Sequence, residues 1–443
     1  MKRPSVFLRV VAMAAALAPV GVTSADAQTI VFPAGKGLFG SKTDSTARQV
    51  FDVALSVSEA YDTDVPSELL PQLHPTTLQS GGYSTMFVAA ADYEWGSPRA
   101  HLGGNATSAL RYYPQLREVT AVSHSAGLGL SARLPKRSTL EINQTAAYSP
   151  SYLYQLFPAV VPANPGDAIP AAPDYDVDNS ESYIYGTTMT LTHKSNRGSR
   201  ISATGEFQRT DFVHQSEVRP DLTMFGLQGR FSHGVTRNAG VSVEYRYRTG
   251  AFSYAVPTME QGVVVGLEYS RPLSVSRRAV FRFNVGSSTL DIPESAARAL
   301  VKGPQNQLLA ALELDYQFLR TWQARTHLRR RFEYVAALGE PVLVDGASIG
   351  VEGMVSRRAN LSVAASYASG ESTLNRNAVT FDTYAGEVTL THAVGSAFAA
   401  YASYLCYFYD STENATLTPG IPSVLERSGV RVGLMLWVPA LRR

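Results

Sequence analysis

The chain has little cysteine, few charges and no long apolar run after position 27. Its 443 residues include one cysteine, Cys406, which excludes an intramolecular disulfide and a cysteine-rich metal site. Charged residues make up 17% of the chain, below the ~25% typical of soluble domains. The formal net charge of +2 gives no support to nucleic-acid binding. No later stretch reaches the ~20 apolar residues of a spanning helix, which excludes a helical membrane protein.

The segment 1–27 has the pattern of a secretory signal peptide. Lys2, Arg3 and Arg9 precede a short apolar core, and small residues at 25 and 27 suit a signal peptidase. We therefore expect residues 1–27 to be removed, and residues 28–49, which are rich in Gly, Ser and Thr, to form a periplasmic leader.

Short turns recur along the rest of the chain. Their central residues are spaced by 38, 60, 40, 41, 42, 38 and 37, and are Arg99, Arg137, Arg197, Arg237, Arg278, Arg320, Arg358 and Gly395. The one long interval contains a proline-rich insertion. This nearly constant spacing indicates a repeated structural unit.

Each turn is flanked by long segments in which apolar and polar residues alternate. After one turn, Val241, Val243 and Tyr245 alternate with Ser242 and Glu244. Because side chains of a strand point alternately to its two faces, this period of two predicts strands. The segments of 10–13 residues are about twice as long as ordinary strands.

We count 18 such segments in residues 50–443, or 16 if the weak pair near 346–367 is misread. Short turns follow the even-numbered segments and long loops follow the odd-numbered ones. Long strands with this alternation of connections predict an all-β fold, a transmembrane antiparallel up-and-down β-barrel. A soluble propeller has a repeat of similar length, but with four short strands in each repeat.

The charge distribution predicts an orientation. Seven of the eight short turns carry Lys or Arg, whereas the long loops hold most of the isolated acids. We expect the short turns and both termini in the periplasm and the long loops outside the cell, with the protein in the outer membrane. Aromatic residues near the segment ends would form interfacial girdles. These are Tyr61, Tyr83, Trp95, Tyr112, Tyr148, Tyr183, Tyr269, Trp322, Phe332 and Tyr367.

The face opposite the apolar stripe is polar and carries both signs of charge. In a wide barrel that face encloses a hydrated interior. The charged residues that we expect to line it are Arg246, Arg248, Arg282, Arg325, Arg329, Glu313 and Asp315. A packed interior of paired charges without conduction is the alternative.

The insertion at 150–182 is a candidate constriction. It holds six prolines and no Lys or Arg, and its acids are Asp167, Asp174, Asp176, Asp178 and Glu181. In general porins an acidic third loop folds into the interior, and this segment resembles it in place and charge. We expect it to narrow the passage against the arginines, with a mobile surface loop as the other reading.

The sequence gives little support to metal binding or catalysis. Asp174, Asp176 and Asp178 begin like a calcium loop, but the sixth position is Asn179 and the twelfth is Tyr185, so no metal site is expected. No nucleophile-elbow, zinc-protease or phosphate-loop motif is present. We therefore expect neither an enzyme nor a bound cofactor.

Three consecutive arginines, residues 329–331, conflict with strict alternation because one of them must face lipid. Lipopolysaccharide phosphates would accept such a side chain. A bulge or an early strand end would also remove the conflict, and we slightly favour that reading.

The segments Phe51–Asp62 and Leu128–Ile142, with the Ser-Pro-Arg turn at 97–99, resemble the β-barrel porin-2 group of outer-membrane proteins. Members of this group accompany exopolysaccharide and exosortase gene clusters. The resemblance spans roughly residues 50–443 and implies an outer-membrane barrel with a role near polysaccharide export. Many such barrels end on an aromatic residue, whereas this sequence ends Ala-Leu-Arg-Arg, which departs from the signal read during barrel assembly.

The function that these features predict is a porin-like outer-membrane barrel for passive passage of solutes. Its expected partners are outer-membrane lipid and lipopolysaccharide, the barrel assembly machinery, and polysaccharide or small polar solutes, but not nucleic acid. The alternative is a non-conducting structural or accessory barrel in exopolysaccharide secretion.

Overall fold

The computed structural model describes residues 48–65, 80–114, 119–149, 181–195, 198–213, 220–253, 255, 257–274, 277–291, 305–317, 321–335, 339–373, 380–411 and 424–443. Within these residues it contains 18 strands. They are β1 Gln49–Val65, β2 Ser80–Gly96, β3 Ala100–Tyr113, β4 Val119–Leu134, β5 Ser138–Ser149, β6 Ser182–Lys194, β7 Ser199–Phe212, β8 Leu222–Gly234, β9 Ala239–Phe252, β10 Thr258–Ser274, β11 Arg277–Asp291, β12 Gln305–Gln317, β13 Gln323–Val335, β14 Glu340–Ser356, β15 Ala359–Ser372, β16 Thr380–Ala393, β17 Phe398–Ser411 and β18 Val424–Arg442.

The strands form one closed antiparallel sheet. Each strand pairs with the next along the chain, and β1 pairs with β18 from Val50/Arg442 to Asp62/Gly429. The predicted all-β barrel and its count of 18 are confirmed, and the weak pair is present as β14 and β15. No helix in the described part of the chain is long and apolar enough to cross a membrane.

Alternation along each strand places large apolar side chains on the outside of the barrel. On β18, Val430, Val432 and Leu434 are 49–59% exposed, whereas Arg431 and Met435, which alternate with them, are 2–3% exposed. Residues on strands alternate between faces, and a closed sheet leaves no unpaired edge. The barrel therefore has an apolar exterior and an interior that carries the polar residues, which is what a lipid-embedded cylinder requires.

The connections have the two predicted lengths. Residues 97–99, 135–137 and 357–358 are complete short turns, and Lys136 and Arg137 have φ of 58° and 62°. Both residues lie in the left-handed region that tight hairpin turns require. The start of β1 and the end of β18 lie at the same side of the barrel as these turns. There the Gln49 amide donates to the Arg443 carbonyl at 2.7 Å. Residues 1–47 lie outside the described part, so the predicted boundaries at 27 and 49 stay predictions.

Candidate functional site

The seven charged residues predicted to line the interior all lie on the inward-facing positions of β9–β13. Their exterior neighbours Val241, Val243 and Tyr245 are 44–50% exposed on the outside of the barrel. Arg246 and Arg248 alternate with these residues and lie on the opposite face. The five others occupy inward positions on the next strands, which are Arg282, Glu313, Asp315, Arg325 and Arg329.

Four of them belong to one ion network on β10–β13. The Arg282 guanidinium lies 2.8 Å from Glu313, 3.5 Å from Asp315 and 4.0 Å from Glu268. Arg325 donates to Asp315 at 2.8 Å. The network forms because Arg282 is directly opposite Glu268 on β10 and Glu313 on β12 in the strand register. These side chains keep 25–45% of their surface exposed, so the network borders open space inside the barrel.

Arg248 forms a different, buried contact. Its guanidinium donates to Glu260 at 2.5 and 2.9 Å, and the Ser288 hydroxyl donates to the same carboxylate at 2.9 Å. The Arg248 and Glu260 side chains are 6% and 1% exposed. Glu260 is not among the predicted lining residues, although it lies near the start of β10, which begins at Thr258. Extending the inward alternation back from Glu268 would have reached it.

The long-loop ends of β13 and β14 fold into the barrel. The ladder between β12 and β13 stops at Ala310/Arg330, although β13 stays paired with β14 as far as Val335/Glu340. Arg248 on β9 also donates to the Phe332 carbonyl at 2.8 Å. This hairpin tip, residues 331–335 and 339–344, therefore reaches the inner wall formed by β9 and β10.

Three contacts of the Tyr334 ring hold the hairpin tip against that wall. The Tyr334 ring lies against Gly250, where an added Cβ would approach the ring to 2.1 Å. The Arg248 guanidinium lies 5.6 Å from the centre of the same ring, and Phe252 lies 6.5 Å from it. Phe332 is completely buried, so its predicted place in an interfacial girdle is wrong. Because β13 turns into the barrel at this point, the Phe332 side chain lies inside the barrel and not at the membrane surface.

The three consecutive arginines divide between the two faces. Arg330 points outward and pairs with Asp345 at 2.7 Å, while Arg329 and Arg331 contact Glu333 at 3.4 and 2.6 Å. The register of β13 with β14 shows no bulge. The favoured interpretation, a bulge or an early strand end, is therefore wrong, because β13 continues without a bulge to Val335 and Arg330 does face outward.

The interior wall formed by β15–β18 and β1–β3 is different from the charged wall. Many of its inward side chains are hydroxyl-bearing, aromatic or small, and most of these are buried. Its charged inward side chains are Asp52, Asp62, Asp92, Glu94, Arg111, Glu387, Arg427 and Arg431, and Arg427 pairs with Asp62 at 2.8 Å. The half-exposed charged side chains on β5–β13 therefore face a wall whose inward side chains are largely covered.

The predicted constriction falls mostly outside the described residues, including Asp167, Asp174, Asp176 and Asp178. Glu181 is described, just before β6. Its carbonyl accepts from the Val213 amide at 2.9 Å, and its carboxylate hydrogen-bonds to Tyr148 on the exterior side. In the described part of the chain no three His, Cys, Asp or Glu side chains are grouped as a metal site would require.

Comparisons with known proteins add solved structures of similar overall form. No protein-family description matches the chain, and no curated protein matches it. Pseudomonas aeruginosa OpdL is 12% identical, with a TM-score of 0.40, over 89% of this chain and 99% of that one. Acinetobacter baumannii OccAB2 is 10% identical, with a TM-score of 0.43, over 88% and 98%. A BenF-like porin from Pseudomonas fluorescens Pf-5 is 9% identical, with a TM-score of 0.44, over 88% and 98%. The function proposed below therefore depends on the geometry of this barrel alone.

Proposed function

We propose that the protein is an outer-membrane barrel through which polar solutes pass passively. The observation that carries this proposal is the half-exposed ion network around Arg282, inside a closed barrel whose exterior is apolar. Charged side chains that keep a quarter to nearly half of their surface exposed must be hydrated, since burying a charge away from water costs free energy. A hydrated interior of an 18-stranded barrel is wide enough for an aqueous path.

Purified protein in planar lipid bilayers tests the proposal directly. We expect steady ohmic current steps in potassium chloride, with a conductance that rises with salt concentration. Protein unfolded before reconstitution is the control for detergent and contaminant currents. Folded barrels that insert without any current step would refute the proposal.

The passage narrows where the hairpin tip reaches Arg248. We propose that residues 150–182 narrow it further against the arginines of β9–β13, since the segment carries five acids and no Lys or Arg. Deleting residues 155–178 then raises the single-channel conductance. Unchanged conductance in a folded deletion variant would reject this part of the proposal and leave the pore itself intact.

A second candidate function is a non-conducting structural or accessory barrel in exopolysaccharide secretion. The covered wall of β15–β18 and β1–β3 favours it, because a barrel with that much of its inner surface buried leaves less open cross-section. The bilayer experiment separates the two candidates, and membership of the β-barrel porin-2 group would be supported by a neighbouring exopolysaccharide cluster.

We also propose the cellular placement. After removal of residues 1–27, the barrel lies in the outer membrane with the short turns and residues 28–49 in the periplasm. Lipopolysaccharide surrounds its outer half, and the barrel assembly machinery inserts it. An epitope inserted in the turn at 235–238 is then inaccessible to antibody on whole cells and becomes accessible after the outer membrane is permeabilised.

A further inference from the structure

The inner wall at the short-turn end of the barrel carries an apolar patch. Ala393, Ala399 and Met435 lie directly opposite one another on β16, β17 and β18. Trp437 is the next inward residue of β18, and Met354 on β14 packs against the same group. The residues of β16–β18 in this group are 1–6% exposed, and Met354 is partly buried. We call these five residues the apolar patch.

The patch is more deeply covered than an open interior would leave it. At the same end of β5–β7, the inward side chains of Glu141, Lys194 and Arg200 are exposed. A tryptophan that lies flat on a wall keeps the other face of its ring toward the interior, yet Trp437 is 6% exposed. The Arg442 guanidinium lies 5.9 Å from the centre of this ring, but a guanidinium is smaller than an indole. A further covering element therefore lies over the patch.

The position of the patch identifies the part of the chain that can cover it. The long loops attach at the opposite end of the barrel, and Val424, where β18 begins, lies roughly 40 Å along the strand from Trp437. Residues 28–47 instead precede β1, whose first residues pair with the end of β18. The other segments that lie outside the described residues at the short-turn end have two or three residues each, and are 196–197, 275–276 and 318–320. Among the parts of the chain outside the described residues, 28–47 is therefore the long segment that starts beside the patch.

This segment also has apolar side chains suited to the patch. Two short apolar stretches, Ile-Val-Phe at 30–32 and Leu-Phe at 38–39, stand in a sequence that is otherwise rich in Gly, Ser and Thr. Large apolar side chains gain free energy when they leave water. A segment of this length spans up to ~66 Å when it is extended. Both stretches can therefore reach the patch from Arg48, where the described chain begins.

The charges of the segment and of the neighbouring wall are complementary. Asp92 and Glu94 are exposed on the inward face of β2, one strand beyond the β1–β18 pairing that borders the patch. Of the three charged residues in 28–47, two are the lysines at 36 and 42. Opposite charges attract one another more strongly inside a barrel than in bulk water. The lysines can therefore face the acidic residues of β2 while the apolar stretches contact the patch.

We propose that residues 28–47 fold back into the barrel from the periplasmic side and lie across its short-turn mouth. Their two apolar stretches pack on the apolar patch, and their lysines face the acidic residues of β2. The segment then narrows the passage at the end opposite the hairpin tip, and this consequence rests on the proposed function. The docking itself does not depend on whether the barrel conducts.

Quenching of Trp437 fluorescence by acrylamide measures the cover directly. Trp95→Phe/Trp322→Phe leaves Trp437 as the single tryptophan, in protein that is produced from residue 28 onward and refolded. Deleting residues 28–45 in this background should raise the quenching constant about threefold, because the large indole surface then meets water.

Two double variants of the intact segment separate specific docking from the mere presence of the segment. Phe32→Ser/Phe39→Ser removes the apolar contact and should raise the quenching constant as the deletion does, which keeps the test decisive if the deletion variant does not fold. Ser41→Ala/Ser45→Ala is the matched control and should leave the quenching constant unchanged. Mobility on unheated gels confirms that each variant is folded.

Photo-crosslinking identifies what lies over the patch. With p-benzoylphenylalanine in place of Phe39, we expect crosslinks to peptides that contain Met354 or Met435. Crosslinks to a long loop alone would overturn the inference. A Trp437 that is quenched equally with and without residues 28–45 would overturn it as well.

Single-channel recording on the same proteins distinguishes this inference from the proposed function. A higher conductance after deletion of residues 28–45 supports a narrowed mouth, and an unchanged conductance would refute the narrowing. A docked segment in a barrel that shows no current with or without residues 28–45 would refute the proposed function and leave the docking standing.

Discussion

The buried Arg248–Glu260 pair provides the sharpest test of the inward hairpin. Replacing Arg248 by Met keeps the volume and removes three contacts at once, namely the ion pair, the bond to the Phe332 carbonyl and the stacking on Tyr334. Glu260 then stays in place with only the Ser288 hydroxyl as a donor.

The expected cost follows from burial. Both side chains are nearly inaccessible, at 6% and 1% exposure, and the shortest contact is 2.5 Å. Removing one partner of such a pair typically destabilises a protein by about 3–5 kcal/mol, because the remaining charge is left uncompensated. Replacing both partners by apolar residues of similar size is commonly neutral or stabilising. The double variant Arg248→Met/Glu260→Met should therefore lie within about 1 kcal/mol of the natural protein.

Urea unfolding in lipid vesicles measures these free energies, followed by fluorescence of the three tryptophans. Single-channel recording on the same samples reports the passage, and we expect Arg248→Met to conduct more because the hairpin tip loses its attachment to β9. A loss below about 1 kcal/mol for Arg248→Met would refute the buried pair. A double variant no more stable than the single one would refute it equally.

Three further substitutions test other parts of the barrel. Gly250→Leu should displace the Tyr334 ring and raise the single-channel conductance. Gly229→Leu is the control, because Gly229 has open space around it, and it should leave the conductance unchanged. Equal conductances for the two variants would contradict the contact between Gly250 and Tyr334. Arg282→Gln removes a positive charge and leaves its carboxylate neighbours in excess, so the passage should become more cation-selective. The reversal potential in a salt gradient measures this change. A screened interaction of ~1 kcal/mol would raise the ratio of cation to anion permeability by up to about fivefold. Val265→Arg on the lipid face should cost about 2–4 kcal/mol in urea unfolding, and Val264→Arg on the interior face much less; equal losses would argue against a lipid-facing exterior.

The strands and the lining were predictable from sequence for one physical reason. A closed sheet between lipid and water imposes a period of two on every strand, so Val241 and Glu244 reveal their faces without any tertiary information. The same reasoning puts Arg282 and Asp315 on the face opposite the apolar stripe. It could not identify their partners, since Glu268 and Glu313 meet Arg282 only through the strand register.

The hairpin tip was not predictable because its causes are distant in sequence. Phe332 and Tyr334 alternate like ordinary strand residues, yet they are held inside by Arg248 and Gly250, which lie far earlier in the chain. The predicted start of β14 near 346 is too late for the same reason, since the strand begins at Glu340 within the tip.

The pairing of β1 with β18 concentrates the chain-entropy cost of folding at one seam. All other described strand pairings join sequence neighbours and can form hairpin by hairpin. Asp62 and Arg427, which meet across the seam, are 365 residues apart. Closing a loop of that length costs about 5 kcal/mol. We therefore expect neighbouring strands to pair first and the β1–β18 pairing to form last, with this ion pair among the final contacts.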